Sequence, residues 1–150
     1  MFTMRLRLAN LIYQDQPDEA LHLLQQVMQI DPLRLRVQAL IGETYTTMAR
    51  NSNDPGEQQQ LLRQAVAAYQ AELALSPVTE LSKKLTGDEA NNAHVHWALA
   101  EVYDKLGQPA DEATELGLYL QATKWHSDTY PWRIQLAQRR LQKLQQNTTQ

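Results

Sequence analysis

The stretch NNAHVHWALAEVYDKLGQPADEA, residues 91–113, determines the fold predicted for the chain. It predicts one helix that ends at Gly107, because glycine takes the left-handed conformation of a helix C-terminus without steric cost. The acidic pair Asp111-Glu112 is typical of the first turn of a second, antiparallel helix. The same pattern occurs twice upstream in weaker form, so the stretch is a repeat unit.

Composition places the chain among ordinary globular proteins. Of its 150 residues, 43% are hydrophobic and 21% charged, which suits a single domain or a short repeat array. The net charge of −3 lacks the clustered positive charge that releases counterions from phosphate, which argues against nucleic acid as a partner.

Cysteine content and hydropathy restrict the class further. The chain has no cysteine and therefore no disulfide framework and no thiolate zinc site. No run approaches 18 apolar residues, so no membrane insertion is expected. The N-terminal stretch lacks the apolar core of a signal peptide. We expect a cytoplasmic protein, or a periplasmic one if the chain is an excised fragment.

Apolar residues at helical spacing predict seven helices and no strand. The predicted segments are a hairpin within 4–30 interrupted at 14–17, then about 33–50, 55–76, 86–106, 110–124 and a last helix after Asp128. Residues 78–85 are ambiguous between a helical turn and a loop.

Three helix starts carry capping signals. Pro17 suits a first helical turn, with Gln16 or Asp15 as the cap. Asp54 is followed by Pro55 and Glu57, and Thr86 by Glu89, and both patterns resemble a capping box. The Asp31-Pro32 pair ends the second helix.

A 34-residue period relates the first two hairpins, since it separates Leu8 from Gly42 and Leu11 from Tyr45. The chain resembles the tetratricopeptide repeat (TPR) family, whose pattern is W-x2-L-G-x2-Y, then A-x3-F, then P. The matching residues are Met4, Arg7, Leu8, Leu11, Ala20, Leu24 and Pro32; Gln38, Ile41, Gly42, Tyr45, Ala65, Tyr69 and Pro77; and His96, Leu99, Ala100, Tyr103, Ala113 and Gly117.

Some features depart from that pattern. The family's tryptophan is missing from all three positions, although Trp97 lies one residue past its place, and Trp125 stands where proline is expected. The alanine spacings indicate that the second hairpin is about three turns longer than usual. The expected division is repeat 1 at about 1–34, repeat 2 at 35–77, an insertion at 78–92, repeat 3 at 93–125 and a capping helix at 129–146.

The resemblance implies an all-α, right-handed solenoid of antiparallel helical hairpins with a C-terminal capping helix. It implies small residues, Ala20, Ala65 and Ala113, where paired helices approach closely, and tyrosines 45, 69 and 103 between neighbouring hairpins. It also implies a concave groove for a partner protein or peptide. The groove residues would be Arg5, Ala9, Ile12, Tyr13, Arg36, Ala39, Glu43, Thr47, His94, Trp97, Glu101, Asp104 and Lys105. Trp97 fits equally well between hairpins.

Two functions follow as expectations. The first is a non-catalytic adaptor that binds a partner polypeptide in assembly of a larger bacterial complex, without a cofactor. The second is a self-associating, homo-oligomeric module or one domain of a longer protein. The histidines form no metal-binding motif and no phosphate loop or nucleophile motif occurs in the sequence, so an enzyme is not expected.

Overall fold

The computed structural model describes the backbone of residues 2–75, 88–124 and 130–148, and the side chains of 4–75, 92–124 and 130–147. These residues form seven helices and no strand, which confirms the all-α class for the described part of the chain. The helices are α1 (Phe2–Ile12), α2 (Pro17–Ile30), α3 (Val37–Asn51), α4 (Pro55–Leu75), α5 (Asp88–Leu106), α6 (Pro109–Ala122) and α7 (Trp132–Thr148). None of these seven helices is both long and apolar enough to cross a membrane.

The chain divides into two compact units, unit 1 from Met1 to Leu75 and unit 2 from Ser76 to Gln150. In unit 1, α1 pairs with α2 and α3 pairs with α4, while α2 also packs against α3. In unit 2, α5 pairs with α6, and α7 packs against α6. The short connections within each pair make the paired helices antiparallel.

Two of the small residues that the resemblance places at helix contacts are buried in unit 1. Ala20 and Ala65 are fully buried, and Ala20 belongs to a core cluster with Ala9, Leu24 and Val27. Burying such apolar side chains supplies most of the favourable free energy of folding.

Gly42 on α3 faces the aromatic ring of Tyr69 on α4. A Cβ atom built on Gly42 would lie only 2.8 Å from two carbons of that ring, and Tyr69 is itself buried. Only glycine therefore permits this contact without displacing the ring. The ring of Tyr69 thus contacts the other helix of its own hairpin, whereas Tyr45, also expected between neighbouring hairpins, packs against a core cluster that includes Ala20 and Leu24 of the first hairpin.

The burial pattern of α1 differs from the expected one. Ala9, expected in a groove, is fully buried, whereas Met4, Leu8 and Leu11, which match the repeat pattern, are exposed. Leu6, Ile12 and Tyr13 pack beside Ala9 on the core. The buried seam of α1 therefore runs through residues 6, 9 and 13, and the opposite, exposed face is also apolar.

The start of α3 is four residues later than predicted. The Asp31 carboxylate accepts a hydrogen bond from the Leu33 backbone N–H (3.2 Å), and its carbonyl accepts one from Arg34 N–H (3.3 Å). Arg36 then takes a left-handed conformation with φ of 77°. A left-handed residue cannot continue a right-handed helix, so the helix begins only after it, at Val37.

The helices α2 and α4 begin where the capping signals predict, but some of the capping side chains form other hydrogen bonds than predicted. α4 begins at Pro55, and the Asp54 side chain accepts from Gly56 N–H at 3.0 Å. Glu57, however, accepts the Ser52 hydroxyl proton (2.9 Å) instead of bonding back to Asp54 N–H. Before α2, Gln16 occupies the N-cap position without a side-chain cap bond, since its side chain is longer than those that favour this site.

Gly107 ends α5 as predicted. Its φ is +70°, its N–H donates to the Asp104 carbonyl at 3.1 Å, and Gln108 N–H donates to the Tyr103 carbonyl at 3.0 Å. This pair of bonds is a Schellman motif, which satisfies carbonyls at the end of the helix.

The predicted extension of the second hairpin is shared by its two helices. α4 has 21 residues against 14 in α2, and α3 has 15 against 11 in α1, which corresponds to about two turns and one turn. The Thr86 cap, Pro77, Trp125 and most of the 78–92 insertion lie outside the described residues.

Glu72 is a buried carboxylate that the sequence did not single out. It lies on α4, and one of its oxygens accepts the Ala39 backbone N–H at the start of α3 (3.4 Å). Burial raises the pKa of this carboxyl, while hydrogen bonds from the backbones of Ala39 and Arg36 oppose the shift. Glu72 therefore caps α3 from another helix.

We expect Gly42→Ala to destabilise the protein, because overpacking typically costs about 1–3 kcal/mol while the gain in helix propensity is at most ~1 kcal/mol. Gly117→Ala is the matched control, since a Cβ there meets nothing within 4 Å. Urea denaturation followed by circular dichroism should give a lower midpoint for Gly42→Ala and an unchanged or higher one for Gly117→Ala. Equal midpoints for wild type and Gly42→Ala would contradict the packing of Gly42 on Tyr69.

Candidate functional site

A cleft opens in unit 2 between α5, α6 and α7. Its volume is about 290 Å³, and apolar atoms form most of its surface. It is lined by Trp97, Ala100, Glu101, Asp104, Glu112, Leu116, Leu136, Ala137 and Arg140. The cleft is at the lower end of the range for small-molecule sites, about 300–1,000 Å³, which suits one or two side chains of another chain.

One face of α5 forms a wall of the cleft. Its lining residues Trp97, Ala100, Glu101 and Asp104 follow the i, i+3, i+4, i+7 spacing that places side chains on one helix face. Trp97, Glu101 and Asp104 are three of the predicted groove residues, and the structure brings them together.

Trp97 belongs to both the cleft and the core. Only 6% of its surface is exposed, and it packs with Leu116 and Ala137 in the core cluster of unit 2. Its ring centre lies 5.3 Å from that of Tyr119 and 6.0 Å from that of Trp132, the latter edge-on. These contacts fix the indole, so the apolar wall is rigid.

Arg133 on α7 stacks over the same aromatic group. Its guanidinium carbon lies 4.4 Å from the ring centre of Tyr130 and 5.4 Å from that of Trp97, within range of cation–π attraction. Its Nη1 lies 3.3 Å from His94 Nδ1. Since arginine only donates, that nitrogen accepts the hydrogen bond. The structure half-buries Arg133 against these rings.

The guanidinium of Arg140 joins all three helices at the mouth of the cleft. Its Nε and Nη2 donate to the two carboxylate oxygens of Glu112 on α6, at 2.7 and 3.0 Å. Nη2 also donates to Asp104 on α5 at 2.9 Å. The hydrogen bonds to Glu112 are the main reason that the pKa of Arg140 is raised. Paired N–H donors on one carboxylate give both strength and a fixed orientation.

The rim of the cleft is acidic. Glu112 is buried, but Glu101 and Asp104 are exposed, so the lining carries three carboxylates against one guanidinium. An apolar floor beside exposed carboxylates favours a ligand that combines an apolar side chain with a positive charge.

The other predicted residues of α5 lie outside this lining. His94 is half-buried against Arg133, and Lys105 is exposed. His96, matched to the repeat pattern, has its Nδ1 2.6 Å from a carboxylate oxygen of Glu115, and both side chains are largely buried.

The predicted groove residues of unit 1 have mixed exposure. Arg5, Ile12, Tyr13 and Glu43 are half-buried, and Arg36 is exposed at the start of α3. Ala39 and Thr47 are buried, and the Thr47 hydroxyl donates to the Glu43 carbonyl at 3.0 Å. A groove role for Ala39 and Thr47 is therefore corrected, because both side chains face the interior.

Unit 1 has an open cleft of its own, about 410 Å³ in volume, between α2, α3 and α4. Its polar side chains are the amides Gln25, Gln38 and Gln64, next to Tyr45. None of the groove residues predicted for unit 1 lines it. It contains no charged side chain, which leaves the unit 2 cleft as the stronger candidate.

Six lining residues of the cleft were not among the predicted groove residues, namely Ala100, Glu112, Leu116, Leu136, Ala137 and Arg140. Glu112 was interpreted as a first-turn acid, which its position in α6 confirms, but its carboxylate is also buried against Arg140. Arg140 and Leu136 lie at the edges of the apolar stripe of α7. Arg140 lies three residues after Ala137 and four residues before Leu144, and both of those residues are buried. This spacing places all three on one helix face, so a charged residue among apolar neighbours was the signal that could have identified Arg140.

Within the described residues, no group of three or more His, Cys, Asp or Glu side chains is arranged to hold a metal ion. Comparisons with protein-family models, with curated proteins and with solved structures gave no match. The case for a function therefore depends on the geometry of the cleft.

We expect Arg140→Met to destabilise unit 2, because it leaves the buried Glu112 carboxylate without its partner. The side chain of Arg140 is 35% exposed, so the loss should be about 1–3 kcal/mol, below that of a fully buried pair. Tryptophan fluorescence during urea denaturation measures it, since all three tryptophans, at 97, 125 and 132, lie in unit 2.

Two variants control this measurement. Asp104→Asn should cost no more than about 1 kcal/mol, because the Asp104 side chain is 58% exposed. The double variant Arg140→Met, Glu112→Gln should recover part of the lost stability. If Arg140→Met unfolds at the wild-type urea concentration, the guanidinium does not hold the three helices together.

Proposed function

We propose that the chain is a non-catalytic, tetratricopeptide-like interaction module that binds a segment of a partner polypeptide. The cleft of unit 2 is its binding surface, and the helical hairpins are the scaffold that holds this surface. Such a module acts as an adaptor in the assembly of a larger complex.

Packing in the second hairpin supports the tetratricopeptide-like proposal. The repeat pattern sets a glycine, an alanine and an aromatic residue at the helix contact. Here Gly42 faces the Tyr69 ring and Ala65 is fully buried. In that scheme α7 is the helix that covers the last hairpin, as terminal elements of repeat arrays do.

The single observation that carries the proposed function is the composition of the cleft. It combines a rigid tryptophan, apolar side chains and an acidic rim, and tryptophan is enriched among residues that dominate binding energy. Arg140 is paired with Glu112 and Asp104, so it positions the helices. Glu101 is exposed on the rim, and the three lining carboxylates outnumber the one guanidinium, so the rim keeps a net negative charge that attracts a positive ligand. The segment that fits has an apolar side chain next to Lys or Arg.

The test compares Leu136→Glu with Leu118→Glu. Leu136 lines the cleft and is 46% exposed, whereas Leu118 is similarly exposed on α6 outside it. Both changes add one carboxylate to the surface, so both variants should remain as helical as wild type by circular dichroism.

Each chain is immobilised and incubated with lysate of the source organism. A partner retained by wild type and Leu118→Glu should be lost from Leu136→Glu, and Glu101→Arg should weaken its binding at least tenfold. If all variants retain the same proteins, or if none retains any, the cleft is not the binding surface.

A further inference from the structure

The outward face of α1 is an apolar surface that is exposed in the described part of the chain. Met4, Leu8 and Leu11 follow the i, i+4, i+7 spacing of one helix face. Met4 and Leu11 are 73% and 76% exposed, and Leu8 is also exposed. The opposite face already packs on the core of unit 1 through Leu6, Ala9 and Tyr13.

A helix with apolar residues on both sides is normally covered on both sides. Three large apolar side chains in one row differ from the scattered exposed residues that every protein has. Methionine and leucine also suit an adaptable contact, because the flexible methionine side chain fits irregular surfaces. The exposed face of α1 therefore has the properties of a binding surface for another polypeptide.

The positive charge of α1 restricts the kind of surface that can pack on its exposed face. α1 contains Arg5 and Arg7 and no acidic residue. Arg7 is exposed and lies on the same face, three residues after Met4 and four before Leu11. Two α1 faces packed on each other would bring like charges together, which disfavours a symmetric contact between them.

The cleft of unit 2 has the complementary properties. Its floor is formed by Trp97, Leu116 and Ala137, and Glu101 and Asp104 on its rim are exposed. Leu136 beside it is an exposed apolar side chain. The apolar side chains of α1 match the apolar floor, and the positive charge of Arg7 is opposite in sign to the acidic rim.

We propose that α1 of one copy of the chain docks in the unit 2 cleft of a second copy. This inference rests on the proposed function, since it names the polypeptide segment that the cleft binds. The two surfaces differ, so the contact is heterologous, and repetition of it joins copies head to tail.

The primary test is the mass of the full chain in sedimentation equilibrium over a range of concentrations. Wild type should rise from the monomer mass of 17.2 kDa towards species of several chains, and added salt should lower the average mass. Leu11→Glu on α1 and Leu136→Glu in the cleft should each remain monomeric. Leu118→Glu should associate like wild type.

Mixing the two monomeric variants gives the decisive result. Leu11→Glu retains an intact cleft and Leu136→Glu retains an intact α1. The α1 of a Leu136→Glu chain can therefore dock in the cleft of a Leu11→Glu chain, but the reverse contact cannot form. The mixture should therefore stop at two chains. A wild-type chain that stays monomeric, or a mixture that stays monomeric, overturns the inference.

Failure of this inference is distinguishable from failure of the proposed function. If the chain is monomeric but still captures a partner that Leu136→Glu loses, the cleft binds another protein and the α1 inference alone is wrong. If association persists in Leu136→Glu, copies contact each other through a surface other than the cleft, which also overturns the inference.

Discussion

The guanidinium of Arg140 is the constraint on which the candidate site depends. It donates to Glu112 on α6 and to Asp104 on α5 from its own position on α7. Because Glu112 is buried, its charge needs a partner, and removing Arg140 would leave an uncompensated carboxylate in the interior. The hydrogen bonds of Arg140 therefore hold α5, α6 and α7 at a fixed separation, and this separation sets the width of the cleft.

Trp97 adds a second constraint to the same cleft. It contacts Tyr119 and Trp132, and Arg133 stacks over this group of rings. A side chain held from several sides loses little further freedom when a ligand arrives, which lowers the cost of binding. The same contacts make Trp97 a poor residue for testing function, because truncating it would damage the core. Exposed residues at the mouth, such as Leu136 and Glu101, separate binding from folding.

Local features of the fold could be predicted from the sequence. The stop at Gly107, the start at Pro55 and the buried Ala20 and Ala65 are confirmed by the structure. Each depends on backbone conformation or helical periodicity, which are local properties. Three of the cleft residues, Trp97, Glu101 and Asp104, are among the groove residues that the resemblance implies, and they share one face of one helix.

What could not be predicted depends on contacts between distant residues. Glu112 and Arg140 are 28 residues apart, and nothing in a single sequence pairs them. The late start of α3 follows from the left-handed backbone at Arg36, which interrupts the helical pattern that starts at Leu33. In α1, both faces are apolar, so periodicity alone could not decide which face is buried.

The central claim is that the cleft of unit 2 recognises a helix that is both apolar and basic. Nuclear magnetic resonance tests it most directly, on the full chain carrying Leu11→Glu, titrated with a synthetic peptide of residues 2–13. The account predicts that the Trp97 indole N–H, the Arg140 Nε–H and the backbone amides of Glu101 and Asp104 shift as the peptide is added. Shifts confined to unit 1, or none, would contradict it.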